Sequence, residues 1–306
     1  MIVPVEKFEQ LVQKFAPQAK VLRAWTLTGG VSAQVTALEI SLPDGQTQKM
    51  IVRQHGAIDL GLNPNIAEDE FKLLSILHSA GLPVPQPYFV DASGEIFATP
   101  CIVLEFIDGE TDFAPTDLDD SLCQMADGLA QIHQMDVSQH DVSFLPTCNE
   151  TISGRLKDRP AVMDDSVQET RIRQTLESTW RFTNMNPAGL LHGDFWVGNL
   201  LWKNGRLVSV IDWEDATLGD PLSDLANSRL EILWAFGADA MHTYTRHYQT
   251  AMPALDYANL PLWDLVAALR PIGKMDTWGL DADTIAAMRQ RHGWFVNAAF
   301  KRLSVN

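Results

Sequence analysis

Cysteine is scarce. The 306 residues hold three, Cys101, Cys123 and Cys148, at no spacing that suits a metal site or a C-x-x-C redox pair. That argues against a disulfide framework and for a reducing compartment, the cytoplasm. Basic residues are few as well, 23 Lys and Arg against 39 Asp and Glu, for a net charge of −16. A surface that grips nucleic acid needs a basic patch to neutralise phosphates, so no nucleic-acid partner is expected. No apolar run is long enough to cross a bilayer, and Glu6, Lys7 and Glu9 interrupt the first turns, so neither a membrane span nor a leader is expected. Internal repeats and low-complexity tracts are also lacking. What remains is a globular composition on a chain long enough for two lobes, each with its own core.

The chemistry is concentrated in His192-Gly193-Asp194-Phe195-Trp196-Val197-Gly198-Asn199 and in Asp212 beyond it. Leu200-Leu201-Trp202 and Leu207-Val208-Ser209-Val210-Ile211 flank Asn204-Gly205, two residues that tolerate positive φ, which predicts a tight hairpin. A hairpin returns the end of its second strand toward the start of its first, so Asp194, Asn199 and Asp212 are expected to converge. Two carboxylates and an amide oxygen suit a hard divalent cation such as Mg2+, which takes its other ligands from water and phosphate. Taken singly, each Asp also reads as a turn residue or helix cap.

The D-x-x-x-x-N spacing from Asp194 to Asn199 is that of the kinase catalytic loop. Here the loop opens His-Gly-Asp rather than His-Arg-Asp, and Asp212 is followed by Trp213 rather than by Phe-Gly. With Gly219-Asp220-Pro221 and Asp224-Leu225-Ala226, the segment resembles the aminoglycoside phosphotransferase and choline kinase-like small-molecule kinases. The resemblance implies that Asp194 accepts the proton of a substrate hydroxyl, that Asn199 and Asp212 hold Mg2+, and that Asp224 braces the loop. His133 and His192 are read as structural.

The same resemblance assigns the first part of the chain to ATP. Gly29 and Gly30 sit where a loop would cover the nucleotide phosphates, although the full G-x-G-x-x-G is absent and the pair also reads as a plain hairpin turn. Ile51 and Arg53 share one face of a strand. They match the adenine-side apolar residue and the phosphate-binding Lys of kinases, with Arg as a departure. Glu70 falls on the apolar stripe of its helix with Leu73, Leu74 and Leu77, and a buried carboxylate needs a partner. The resemblance supplies Arg53. Asp108-Gly109 reads as a break in direction and the hinge, and the resemblance places the adenine edge near Glu105 to Ile107.

The expected architecture is α+β, a bilobal kinase-like fold. A small antiparallel-sheet lobe spans 1–107 and binds nucleotide; a mostly helical lobe spans 108–306 and carries catalysis and the acceptor. The small lobe should hold a helix from about residue 2 to 16, a meander of Val21–Thr28, Ser32–Ile40 and Gln48–Arg53, a helix ending at Gly81, and strands at Phe97-Ala98 and Cys101–Ile107. Helices should follow at 118–133, 166–181, 222–236, 239–251, 261–272 and 283–303. The expected activity is transfer of the γ-phosphoryl group of ATP to a hydroxyl of an amino sugar, amino alcohol or sugar. A silent nucleotide-binding module and a carboxylate-pair hydrolase are the competing readings. Acidic clusters at Asp108, Glu110, Asp112, Asp117, Asp119 and Asp120, and at Glu214 and Asp215, would favour an amine-bearing acceptor if they flank its path. Otherwise they are a solvated surface.

Overall fold

The structure is a computed structural model that describes residues 5–27, 33–179 and 186–304. It divides into two compact units: Met1–Gly109 with Ser209–Glu214, and Glu110–Val208 with Asp215–Asn306. The short return segment includes Asp212.

The first unit opens with α1, Glu6–Phe15, which buries Phe8, Leu11 and Val12 on one side. Strands β1 (Lys20–Thr26), β2 (Ala33–Ser41) and β3 (Thr47–His55) follow. The short helix α2, Ala57–Leu62, buries no residue, so no apolar pattern marks it in the sequence. Helix α3, Ile66–Ser79, buries Glu70, Leu73, Leu74 and Leu77, the stripe read from the sequence. It ends where Gly81 turns left-handed at φ 82 and the Leu82 N–H returns to the Leu77 carbonyl at 3.1 Å.

Two further strands, β4 (Pro87–Asp91) and β5 (Cys101–Glu105), complete an antiparallel sheet of order β1-β2-β3-β5-β4. Phe97 and Ala98, expected as a strand, instead form a turn in which the Ala98 N–H bonds the Gly94 carbonyl at 2.9 Å. The extra strand is β4. Its opening proline is tolerated because β4 is an edge and needs no donor on its free side. Phe8, Leu11, Leu38, Ile40, Met50, Val52 and Val103 form one buried cluster, sealing α1 onto the sheet. β3 is central, with Arg53 opposite Val35 on one neighbour and Ile102 on the other.

In the second unit α4 (Leu118–His133) is followed by α5 (Cys148–Lys157) and α6 (Glu169–Thr179). α5 was not foreseen. A Thr147–Glu150 capping box starts it, and Cys148, Ile152 and Leu156 are its buried residues. Strand β6 (Gly189–Leu191), the pair β7 (Leu200–Lys203) and β8 (Arg206–Val210), and β9 (Thr217–Gly219) come next. The β7–β8 turn has Asn204 at φ 52 and Gly205 at φ 73, the conformations expected of a tight hairpin. Helices α7 (Leu222–Phe236), α8 (Ala238–Ala251), α9 (Leu260–Leu269) and α10 (Ala282–Leu303) finish the unit. α8 packs on α4 and α7, and α9 on α7 and α10. Among the described residues no helix is long and apolar enough to cross a membrane.

Candidate active site

β6 pairs with β9, Leu191 opposite Thr217, and delivers the chain into His192. The loop that follows is held by its backbone. The Asp224 carboxylate, in the first turn of α7, accepts the His192 N–H at 2.6 Å and the Gly193 N–H at 3.0 Å. His133 of α4 lies 3.3 Å from the same carboxylate and bonds Tyr248 through its other ring nitrogen. Burial alone would raise Asp224, but the His133 hydrogen bond and charge and the loop amides hold it below the usual carboxylate range. Asp224 is therefore a brace, as the resemblance implied.

Gly193 has φ +83, and a Cβ there would sit 2.0 Å from the Asp215 carbonyl oxygen. No other residue fits. The next N–H, of Asp194, bonds His192 Nδ1 at 3.2 Å, so His192 is a fully buried loop brace. Gly198 meets a softer limit, since a Cβ there would lie 2.3 Å from the ring of Trp196, a half-buried side chain, rather than from backbone.

These contacts aim two functional side chains at each other. Asn199 Nδ2 donates to the Asp194 carbonyl at 2.8 Å and to its carboxylate at 3.1 Å. The amide oxygen is then the atom that Asn199 can offer a cation. Arg270, at the C-terminal end of α9, donates to the Gly193 carbonyl at 2.5 Å and to Asp194 Oδ1 at 3.3 Å. Glu231 of α7 is a further carboxyl in this neighbourhood; burial, then the charge of Asp194, push it up to about 8. Neither Arg270 nor Glu231 was legible in the sequence, since each lies on a helix remote from the motif and repeats at no informative spacing.

The first unit gathers Glu70 and Asp212 around Arg53, which is 6% exposed. Arg53 donates to Glu70 at 2.7 Å and to Asp212 at 2.6 Å, and also bonds Glu214. Burial works against the guanidinium charge, but the three carboxylates overcome it and hold its pKa well above the ordinary arginine value. One cation cannot neutralise three anions. Burial pushes Glu70 up to about 7 against the pull of Arg53 and of the Trp213 N–H. His55, 3.3 Å from Glu70, is driven down to about 4 by burial and by the Arg53 charge, and is neutral at pH 7. Asp212 has φ 69, a left-handed conformation that Asp tolerates better than most residues, and its side chain is 32% exposed.

Ile51 is half-buried on β3 between Ala37 and Leu104. The Glu105 N–H bonds the Gln86 carbonyl at 2.8 Å, and the Ile107 carbonyl accepts Gly109 N–H at 3.0 Å. Gly29 and Gly30 lie outside the described residues. The acidic clusters have local employment: Asp117 caps α4, Asp112 bonds the Ala114 N–H, Glu214 pairs with Arg53, and Asp215 lies 3.7 Å from Arg270. Among the described residues no three His, Cys, Asp or Glu side chains form a metal cage. Asn199 in the second unit and Asp212 in the first each offer an oxygen donor of the hard kind that Mg2+ prefers.

The rat protein named acyl-CoA dehydrogenase family member 11 is 30% identical over 182 residues, which are 54% of this chain and 23% of that protein. The chain thus spans about a quarter of the length of such relatives. Hygromycin-B 4-O-kinase of Escherichia coli is 33% identical over 96 residues, 31% of this chain and 27% of that one. Among solved structures, a thermostable mutant of an aminoglycoside phosphotransferase in ternary complex with ADP and hygromycin B superposes with a TM-score of 0.64 at 21% identity, covering 97% of this chain and 99% of its own. A macrolide 2′-phosphotransferase from Brachybacterium faecium gives 0.64 at 16%, covering 96% and 97%. The fold is therefore the kinase-like α+β fold of these enzymes. The family model for the phosphotransferase enzyme family matches residues 27–294, and the chain belongs to that family.

Proposed function

We propose that the protein transfers the γ-phosphoryl group of ATP to a hydroxyl of a small molecule in the cytoplasm. The observation that carries this reading is the Asp194 carboxylate, fixed by Asn199 and Arg270 on a loop whose backbone Asp224 clamps. A positioned carboxylate of this kind serves as a general base. In the transfer, the acceptor oxygen forms a bond to the γ-phosphorus as the bond to ADP breaks, and the hydroxyl proton passes to Asp194. Arg53, oriented by Glu70, takes nucleotide phosphate oxygens; Asn199 and Asp212 would hold Mg2+. Bound Mg2+ neutralises charge on the phosphates. Nucleotide binding belongs to the lobe of residues 1–107, with Gly29, Gly30, Ile51 and the Glu105–Ile107 segment contributing to the ATP site. Catalysis and acceptor binding belong to 108–306.

Support comes from family membership and from the solved relative that holds ADP with hygromycin B. The test is ADP release with ATP or GTP as donor, screened over small alcohols, amino alcohols, sugars and hydroxy acids. Acceptor-dependent release that requires Mg2+ and Asp194 is expected. Tight Mg2+-ATP binding with no acceptor-dependent turnover would instead identify a silent nucleotide-binding module.

A further inference from the structure

The second unit contains a pocket beside the catalytic loop that none of the roles above employs. Arg155, Cys148 and Thr151 of α5 line one side, Asn227 of α7 and Arg270 another, and Gly193 of the loop borders it. Its volume is about 60 Å³, room for roughly two water molecules. Ile152, Leu191 and Val266 add apolar wall.

Two side chains in it lack the partners their chemistry calls for. Arg155 is half-buried, and the carboxylate whose charge acts on it is Asp215. Burial, then the charge of Arg270, bring its guanidinium down to about 10, against the pull of Asp215. Asn227 is 5% exposed and its amide nitrogen has no hydrogen-bond acceptor. A buried donor left unpaired costs about 1–3 kcal/mol, which favours any occupant that supplies the missing acceptor. The two acids on the rim do not fill this need. Asp224 already carries His133 and two loop amides, and the Asp215 side chain, 60% exposed and so screened by water, is shared between Arg270 and Arg155.

We propose that this pocket seats the carboxylate of the acceptor, between Arg155 and the Asn227 amide, and that the substrate class is a hydroxy acid. The apolar wall takes its hydrocarbon stem, and its hydroxyl reaches Asp194, the neighbour of Gly193. The inference rests on the phosphotransferase reading and narrows it: amino sugars and amino alcohols would bring their charge to the wrong partners. The new bond joins the acid's hydroxyl oxygen to the γ-phosphorus, ADP departs with the electrons of the broken bond, and the proton goes to Asp194. The carboxylate is not consumed.

The test compares a series of straight-chain hydroxy acids, their primary amides, the matching amino alcohols and phosphate-bearing alcohols as acceptors in the ADP-release assay. The acids should exceed the others in kcat/KM by about 10- to 100-fold, the worth of a charge-assisted hydrogen bond. Arg155→Gln should raise KM for the acid by a similar factor with little change in KM for ATP, and Arg155→Lys should recover part of the loss. Circular dichroism and melting temperature of each variant separate this from unfolding. If amines, amides or phosphate-bearing alcohols are phosphorylated in preference to the acids, the pocket assignment falls while the phosphotransferase reading stands. If no acceptor is turned over, that reading falls, and equilibrium dialysis with labelled hydroxy acids decides the pocket. Binding that Arg155→Gln abolishes would uphold it; absence of binding to the wild type would overturn it.

Discussion

Gly193 and Asp215 meet so closely that a Cβ on Gly193 would stand 2.0 Å from the Asp215 carbonyl oxygen. Protein kinases carry arginine at this place in the loop, and here the backbone leaves it no room. Gly193→Ala should therefore destabilise the second unit by more than about 3 kcal/mol, from left-handed strain and the displacement of Asp215 together. Gly205→Ala is the control. It has φ +73 but nothing within 4 Å of the added carbon, so only the strain of about 1–2 kcal/mol remains. Urea denaturation of both variants checks the contrast, and equal losses would mean that the close approach contributes nothing.

Asp194→Asn should cut turnover by roughly 10²–10⁴, the usual worth of a positioned base, with nucleotide affinity nearly unchanged. Steady-state kinetics and titration calorimetry with ATP provide the two readouts. Turnover near that of the wild type would remove Asp194 from the mechanism.

Arg53 and Glu70 form a buried pair, so Arg53→Ala should cost about 3–5 kcal/mol by leaving Glu70 uncompensated. The double variant should cost less than the sum of the singles. A double-mutant cycle on both stability and kcat is the measurement; strict additivity would show that the pair does not act as a unit.

The pH dependence of stability follows from burial. Glu70 is raised from the ordinary glutamate value of 4.5 to about 7 and Glu231 to about 8. A carboxyl whose folded pKa lies above its unfolded pKa binds protons more tightly when folded. Its contribution is complete below the unfolded value and is lost as pH rises through the folded one. The contribution of these two carboxyls should accordingly decline from about pH 4.5 upward, opposed up to about pH 6.5 by His55, whose depressed folded value makes stability rise over that range. Glu70→Gln should flatten the part that ends near pH 7, and Glu231→Gln the part that extends to about pH 8. Denaturation midpoints across this range decide it; identical profiles for wild type and variants would contradict the burial argument.

Asp212→Ala should weaken ATP binding in the presence of Mg2+ far more than in EDTA, since only the metal-dependent component uses that carboxylate. Calorimetric ATP affinities that respond equally to the substitution with and without Mg2+ would exclude Asp212 as a ligand.

Where hydrophobic period and turn chemistry coincide, the sequence was a good guide. Asn204-Gly205 announced its hairpin because few other pairs adopt two positive φ values cheaply. The stripe of Glu70, Leu73, Leu74 and Leu77 announced both a helix and a carboxylate in need of a cation. β4 was hidden by Pro83, Pro85 and Pro87, which read as loop until the strand is known to be an edge. α2 buries nothing, and α5 shows only Cys148, Ile152 and Leu156 between polar residues, so neither presents a strong period. Arg155, Arg270 and Glu231 acquire meaning only from neighbours distant in sequence. In the acidic run after residue 107, Asp112 and Asp117 bond main-chain amides close by, a local use that leaves their charge in place.

Ser209–Glu214 belongs to the first unit although the chain reaches it only after building β6, the catalytic loop and β7. It supplies Asp212 and Glu214 to Arg53 and the Val210 N–H to the Pro83 carbonyl. A gene fragment encoding residues 1–109 would thus leave Arg53 with one of these three carboxylates. Recombination that exchanged either half as an uninterrupted block would strand the same six residues in the wrong parent. The two halves of this gene are bound to a common inheritance, and variants that diversify one of them must be compatible with a segment carried inside the other.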